Sequence, residues 1–304
     1  MLHRVQFHAM GTEMSILFQA NPSVVGQERL MLERAAGFIT SCEKRLSRFD
    51  AESELSFLND HPGRPVRVSA MLFDLLTRAE EYWRISEGCF HPGILPALES
   101  AGYDHDFQSL TAGGAVMLEQ FPQPPVDHVG FQLDPFLRTV LLKTGVRLDL
   151  GGIAKGWCAD RTAEWLGKYG DVLVDAGGDI RTVGRKRWRV GVQLPGSALG
   201  LREKHPFLQR SLRLENSAVA TSSVWKRRWL KGGRTMHHLI NPKKGTPVDS
   251  GIAQATVVAE SAEAAEVWAK TIIVAGDERA RCLLRRSSIR EAFWITVDGR
   301  VECY

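Results

Sequence analysis

Residues 148–160, LDLGGIAKGWCAD, gather the densest set of groups that could do chemistry. Asp149 and Asp160 are carboxylates, Lys155 is an ammonium, and Gly151, Gly152 and Gly156 leave the backbone uncovered. Leu148, Asp149 and Leu150 read as the end of a buried strand, and Ile153 to Leu166 as a helix. A double glycine opening a helix gives an anion free N–H groups, the positive end of the helix dipole and no Cβ in the way. The pattern is neither a Walker A loop nor GxGxxG, because the lysine precedes the last glycine and no Ser or Thr follows it. Gly156 in the first turns of a helix costs about 1 kcal/mol against Ala, so something is expected to pack on the backbone there. The competing reading is a tight turn with a solvated lysine.

Three other stretches carry weaker signals. DAGGDI (175–180) sets carboxylates around a second double glycine, which positions a ligand or, more commonly, makes a tight turn. ATSSVWKRRWLKGGR (220–234) places Lys226, Arg227, Arg228, Lys231 and Arg234 on both faces of a strand pattern. A solvated hairpin is the default there, and a phosphate-contacting patch the sharper reading. HHLINP (237–242) puts adjacent histidines on opposite faces, so one can be buried at a site while the other meets water. GxSxG, HExxH and a Cys–His nucleophile pattern are absent, so hydrolase and zinc-protease readings have no support.

The elements that must position these residues are legible in outline. Helical patterns cover Gln27 to Phe49, Met71 to Ser86, Ile94 to Ala101 and Ser261 to Ala275, the last capped by Ser261 with Glu263 and Glu266 in its first turns. Ser53 to Asn59 is a capped turn, and CFHPG (89–93) a loop. WRVGVQL, LRLENSAVATSS and MHHLINP read as successive short strands, and IREAFWITVDGRVEC as two strands around an Asp-Gly turn. Residues 104–127 and 195–207 are expected to be irregular. Strands come in runs without strict helix alternation, which predicts an α+β fold of mixed sheets with packed helices.

At 304 residues the chain can form one large domain or two fused subdomains. Its 44% apolar and 24% charged content is that of a globular protein, and a net charge of +4 suits an anionic small ligand but makes no case for nucleic acid. Cys42, Cys89, Cys158, Cys282 and Cys303 are scattered with no CxxC pair, which argues against a disulfide framework or zinc site. The opening MLHRVQFHAMGTEMSILF alternates like a strand, and no apolar run approaches the ~18 residues of a membrane span. The expectation is a cytoplasmic chain with no membrane insertion.

In order, HAMGT, LSRFDAESELSFLN, SEGCFHPGILPALESAGYD, LDLGGIAKGWCAD, VDAGGDI, AVATSS, HHLINPKKGTPV and AEVWAKTIIVAG resemble the ApbE family of flavin transferases. The blocks run from about residue 7 to 276. The resemblance implies an α+β fold with a flavin cleft. It also implies an enzyme, an FAD:protein FMN transferase, which moves FMN from FAD to a Thr or Ser hydroxyl of an acceptor protein and releases AMP, with Mg²⁺ at the diphosphate. By position it implies that Met10 and Phe49 line the flavin, Phe49 by stacking, with Cys89, Phe90 and His91 as another wall. Asp149, Gly151, Gly152 and Lys155 would surround the ligand, and His238 would act on the attacking hydroxyl. Gly152 and Ala269 would offer carbonyls, and Glu266 its carboxylate, to the metal; Lys270, where the family has a Thr, cannot be a ligand while protonated and is expected instead to approach the diphosphate as a second cation.

Several positions depart from the family pattern. Asn241 stands for an Asp before Pro, Lys244 for a Thr, and His91 for the carboxylate of FDPT. Glu266 and Lys270 replace the Asp and Thr of A-D-x-x-x-T. Glu266 and Lys270 are also spaced as a solvated surface pair worth about 0.2–0.5 kcal/mol. Against that, Ala265, Val267, Trp268, Ala269, Ile272 and Ile273 leave little of the helix polar. Two other classes of function fit the same residues: an FAD diphosphatase giving FMN and AMP, and a non-catalytic FAD-binding protein.

Overall fold

The computed structural model describes residues 1–105, 122, 124, 125, 127–195 and 207–304. Most of the two segments expected to be irregular, 104–127 and 195–207, lies outside the described residues. The chain divides into two compact units, the first made of Met1–Glu43, Ile153–Ser222 and Gly251–Tyr304, the second of Lys44–Gly152 and Ser223–Ser250. The fold is α+β.

The first unit is built on an eight-stranded sheet. Its order is His3–Ala9, Thr12–Ala20, Gly170–Ala176, Asp179–Val183, Ala218–Ser223, Ile252–Ala259, Glu291–Thr296 and Val301–Cys303. Met14, Ile16 and Phe18 alternate inward along Thr12–Ala20, as a strand with one buried face requires. Ile252–Ala259 is buried at nearly every position, as a central strand covered on both faces must be. The helices Ala154–Gly167 and Ala262–Ala275 belong to this unit, and Ser261 caps the second by accepting the Ala264 amide. A separate ribbon pairs Trp188–Pro195 with Phe207–Leu214.

LRLENSAVATSS is not one strand. It breaks between Leu214 and Ala218, where Asn216 takes a positive φ of 46°. DAGGDI is a hairpin turn: Gly177 and Gly178 have φ of 70° and 97°, and Ala176 pairs with Asp179 across them. Two consecutive positive φ values make the tight turn that suits strand twist, and only glycine takes both without strain.

The second unit holds the helices Glu54–Asn59, Ala70–Ile85 and Leu95–Ser100 and a small sheet ordered Pro65–Arg67, Thr139–Leu142, Phe131–Asp134. Ser53 caps the first helix by accepting the Ser56 amide, and Ser69 caps the second. The basic stretch forms a hairpin, Arg228–Lys231 against Arg234–His237, around Gly232 and Gly233, with Met236 and His237 buried. All five cysteines are free thiols. Among the described residues no helix is long and apolar enough to cross a membrane.

Candidate functional site

The expected strand at Leu148–Leu150 is not one. Leu148 and Leu150 are buried, but the backbone of Leu148 is held by a side chain: Asn59 Nδ2 donates to its carbonyl at 3.0 Å, and its amide donates to Asn59 Oδ1 at 2.7 Å. The Asp149 amide donates to the Pro92 carbonyl at 2.8 Å. One asparagine thus supplies what a neighbouring strand would have supplied.

Asp149 works in two directions. Its Oδ1 accepts the Gly151 amide at 2.9 Å, shaping the glycine turn, and its Oδ2 lies 2.6 Å from Arg48 Nε. Arg48 is buried and its guanidinium sits 4.0 Å from the centroid of Phe49 and 4.7 Å from that of Tyr103. Phe49 remains 44% exposed, an apolar ring left open on the surface and backed by a cation. Tyr103 stacks on toward Trp229 at 5.5 Å. Arg48, Tyr103 and Trp229 escaped the sequence reading, since residues 48, 103 and 229 meet only through the fold.

Cys89, Phe90 and His91 are all buried. His91 Nδ1 accepts the Gly93 amide at 2.9 Å, so the ring proton sits on Nε2, which donates to the Pro125 carbonyl at 2.8 Å. Burial pushes its pKa down to about 4, so the ring is neutral. An acceptor placed two residues before an amide is what the carboxylate of FDPT would also provide. Asn241 keeps that chemistry too, taking the Lys243 amide on Oδ1 at 3.0 Å. His237 is the buried member of its pair, with Nε2 3.1 Å from the Val248 carbonyl, while His238 is only half-buried. Residue 237 ends a strand and residue 238 follows it.

In the first unit, Met10 and Gly11 form the turn of the His3–Ala9/Thr12–Ala20 hairpin with φ of 54° and 66°. A positive φ costs an unbranched side chain roughly 1–2 kcal/mol, and turns of this kind favour Asn, Asp or Gly. Met10 is held there by Glu43, whose Oε1 takes its amide at 2.6 Å.

The helix Ala154–Gly167 brings Lys155 into a four-membered charge cluster. Lys155 Nζ donates to Asp179 Oδ2 at 2.5 Å and also to Glu266 Oε1. Lys270 Nζ donates to the same Glu266 oxygen at 3.1 Å, and Glu266 Oε2 accepts the Gly156 amide at 2.9 Å. Glu266 is fully buried, so the solvated-pair reading of Glu266 and Lys270 is overturned. Burial pulls every member toward its neutral form. The carboxylates of Asp179 and Glu266 nevertheless hold Lys155 above the usual lysine value, and Lys155 and Lys270 hold Glu266 down at about 2. Burial dominates at the outer members, raising Asp179 and lowering Lys270. Asp179 belongs to the cluster, although its sequence context favoured a plain turn.

Gly156 has a packing reason. A Cβ there would stand 2.5 Å from the Ala262 carbonyl oxygen and 2.6 Å from the Glu263 nitrogen, so the expected close neighbour is the start of a second helix. Asp160, one turn on, accepts the Ala262 and Glu263 amides at 2.7 and 2.9 Å and so clamps that same helix start. Gly151 differs. Its φ is not in the left-handed region, and a Cβ would meet only the Asp149 carboxylate, at 3.1 Å.

Glu266 and Ala269, two of the residues expected to hold Mg²⁺, do not fit the ion. Magnesium takes oxygen ligands in an octahedral shell, and both Glu266 oxygens are engaged, one by two ammonium groups. Ala269 is buried within its helix, where its carbonyl serves the helical ladder. No group of three or more His, Cys, Asp or Glu residues that could hold a metal occurs among the described residues.

The chain is similar to known proteins along nearly its whole length. It is 30% identical over 291 residues to the FAD:protein FMN transferase of Treponema pallidum, spanning 89% of this chain and 78% of that protein. It is 26% identical over 273 residues to that of Klebsiella pneumoniae, spanning 88% and 83%. The fold matches the ApbE protein of Thermotoga maritima with a TM-score of 0.85 at 24% identity, over 99% of this chain and 96% of that one. The flavin transferase ApbE of Vibrio cholerae matches with a TM-score of 0.80 at 21% identity, over 100% and 97%. The family model described as the ApbE family matches residues 10–294, which contain the glycine turn, the Arg48–Asp149 pair and the charge cluster alike, and the chain belongs to that family.

Proposed function

We propose that this chain transfers FMN from FAD to a threonine or serine hydroxyl of an acceptor protein and releases AMP. The observation that carries the reading is Gly151. It is exposed, its backbone does not require glycine, and nothing but its own Asp149 would touch a Cβ. Its bare backbone suits close approach of a diphosphate. The exposed Phe49 ring over Arg48 suits a stacked flavin, and the strain at Met10 has the character of a ligand-facing position. The relatives named FAD:protein FMN transferase support the same reaction.

The acceptor oxygen bonds to the FMN-side phosphorus while the bridging P–O bond breaks. The electron pair leaves on the phosphate of AMP, and the hydroxyl proton goes to a base. His238 is assigned that proton, since an imidazole is the commonest general base and the neighbouring His237 is committed to Val248. Mg²⁺, which the family resemblance implies, is given no step, because the ammonium groups already hold Glu266. Five free thiols suit a reducing compartment, and we place the reaction in the cytoplasm.

The test incubates the purified chain with FAD, with and without a panel of threonine-bearing candidate acceptor domains, and measures AMP. AMP that depends on an acceptor supports the transferase. AMP formed without one indicates an FAD diphosphatase, and bound FAD left intact throughout indicates a binding protein.

A further inference from the structure

Glu266 is a carboxylate whose cations are already built into the chain. Its Oε1 takes the ammonium groups of Lys155 and Lys270, and its Oε2 takes the Gly156 amide. With Asp179 the cluster holds two carboxylates and two ammonium groups, balanced before any ion is added. A divalent cation entering here would meet two positive charges and would have to displace one of them from a fully buried oxygen.

The cluster also presents the wrong atoms to a metal. The lysine side chains keep 15% and 17% of their exposure, while the carboxylates keep 7% and none. An ammonium has three donors. Lys155 spends two of them on Asp179 and Glu266, and Lys270 spends one on Glu266. The exposure of this cluster therefore lies more on its lysines than on its carboxylates. That is a site for an anion.

We propose that Lys270 is the resident cation on Glu266, and that Lys155 and Lys270 meet the diphosphate of FAD with no divalent ion between them. The assignment rests on the flavin reading above and changes its electrostatics. In place of a metal, two ammonium groups fixed by Glu266 and Asp179 neutralise the leaving phosphate. An ammonium is a point charge that donates to phosphate oxygens without demanding an octahedral shell.

Three measurements test this on the full-length chain. Electron paramagnetic resonance with Mn²⁺ alone reads metal binding directly, with no flavin present. FAD affinity is measured by fluorescence in excess chelator and in excess Mg²⁺. Both are repeated on Lys270→Thr combined with Glu266→Asp, and on Lys270→Arg as a variant that keeps the cation. The parent and Lys270→Arg are expected to bind no Mn²⁺ stoichiometrically and to hold FAD within about twofold in the two buffers. The double variant is expected to gain Mn²⁺ binding and to lose about tenfold or more of its FAD affinity in chelator. Stoichiometric Mn²⁺ on the parent, or a parental FAD affinity that falls about tenfold in chelator, overturns the inference and leaves the flavin reading standing. A parent that binds no FAD in either buffer overturns both.

Discussion

Arg48 Nε and Asp149 Oδ2 lie 2.6 Å apart, and the other oxygen of the same carboxylate takes the Gly151 amide. The pair links an aromatic surface to the glycine turn within one unit. Asp149→Asn would leave Arg48, 5% exposed, without its counter-charge. Breaking a buried pair from one side costs about 3–5 kcal/mol, and the partial exposure of Asp149 brings the expectation to the lower end. Urea denaturation should show a loss of about 2–3 kcal/mol, with Arg48→Met plus Asp149→Asn less damaged than the sum of the single changes. Additive losses would show that the two residues act separately.

Gly156 and Gly151 should separate packing from binding. Gly156→Ala gains about 1 kcal/mol of helix propensity but drives a Cβ into the backbone of Ala262 and Glu263, an overpacking that costs about 1–3 kcal/mol or more. A net loss of stability is expected. Gly151→Ala should cost no more than about 1 kcal/mol, since its Cβ meets only the Asp149 carboxylate, at 3.1 Å, yet bind FAD more weakly. A Gly151→Ala chain with parental FAD affinity removes the turn from the ligand.

Met10→Gly should relieve a strained backbone and stabilise the fold by up to about 1 kcal/mol, as glycine accepts a φ of 54° without penalty. The same change should weaken FAD binding through the lost side chain. Thermal melting and flavin fluorescence on one preparation give both values, and a destabilised variant would show that the strain is absent.

His91 sets a pH dependence. Its pKa falls from 6.5 to about 4 on folding, so the unfolded chain binds the proton first as pH drops. Stability is therefore full above about pH 6.5 and is lost as pH falls toward 4, by up to roughly 3 kcal/mol. His91→Asp keeps the acceptor for the Gly93 amide while removing the imidazole. Its denaturation midpoint should fall less than the parent's between pH 7 and pH 5, and equal falls would place the titrating group elsewhere.

What was legible in the sequence was local. Ser53 and Ser261 announced their helix starts because a cap is a bond to an amide three residues on. The apolar neighbours of Glu266 and Lys270 already argued against a solvated pair. What stayed hidden was chemistry across long separations. Leu148 looked like a strand because it is apolar and buried, but its partner is a side chain 89 residues away. Asp179 looked like turn decoration until Lys155, 24 residues earlier, closed on it. Gly156 pointed to a close neighbour, and only the fold shows that the neighbour is another helix.

The most direct measurement counts AMP and modified acceptor in one reaction, for the parent and for His238→Asn. One AMP should appear for each acceptor threonine that gains FMN by intact mass. His238→Asn should bind FAD like the parent and lose about 10²- to 10⁴-fold in rate, the range for a removed general base. His237→Asn should lose stability instead, because His237 is buried against the Val248 carbonyl. AMP accumulating while the acceptor mass stays unchanged, or a His238→Asn rate equal to the parent's, would contradict transfer through this site.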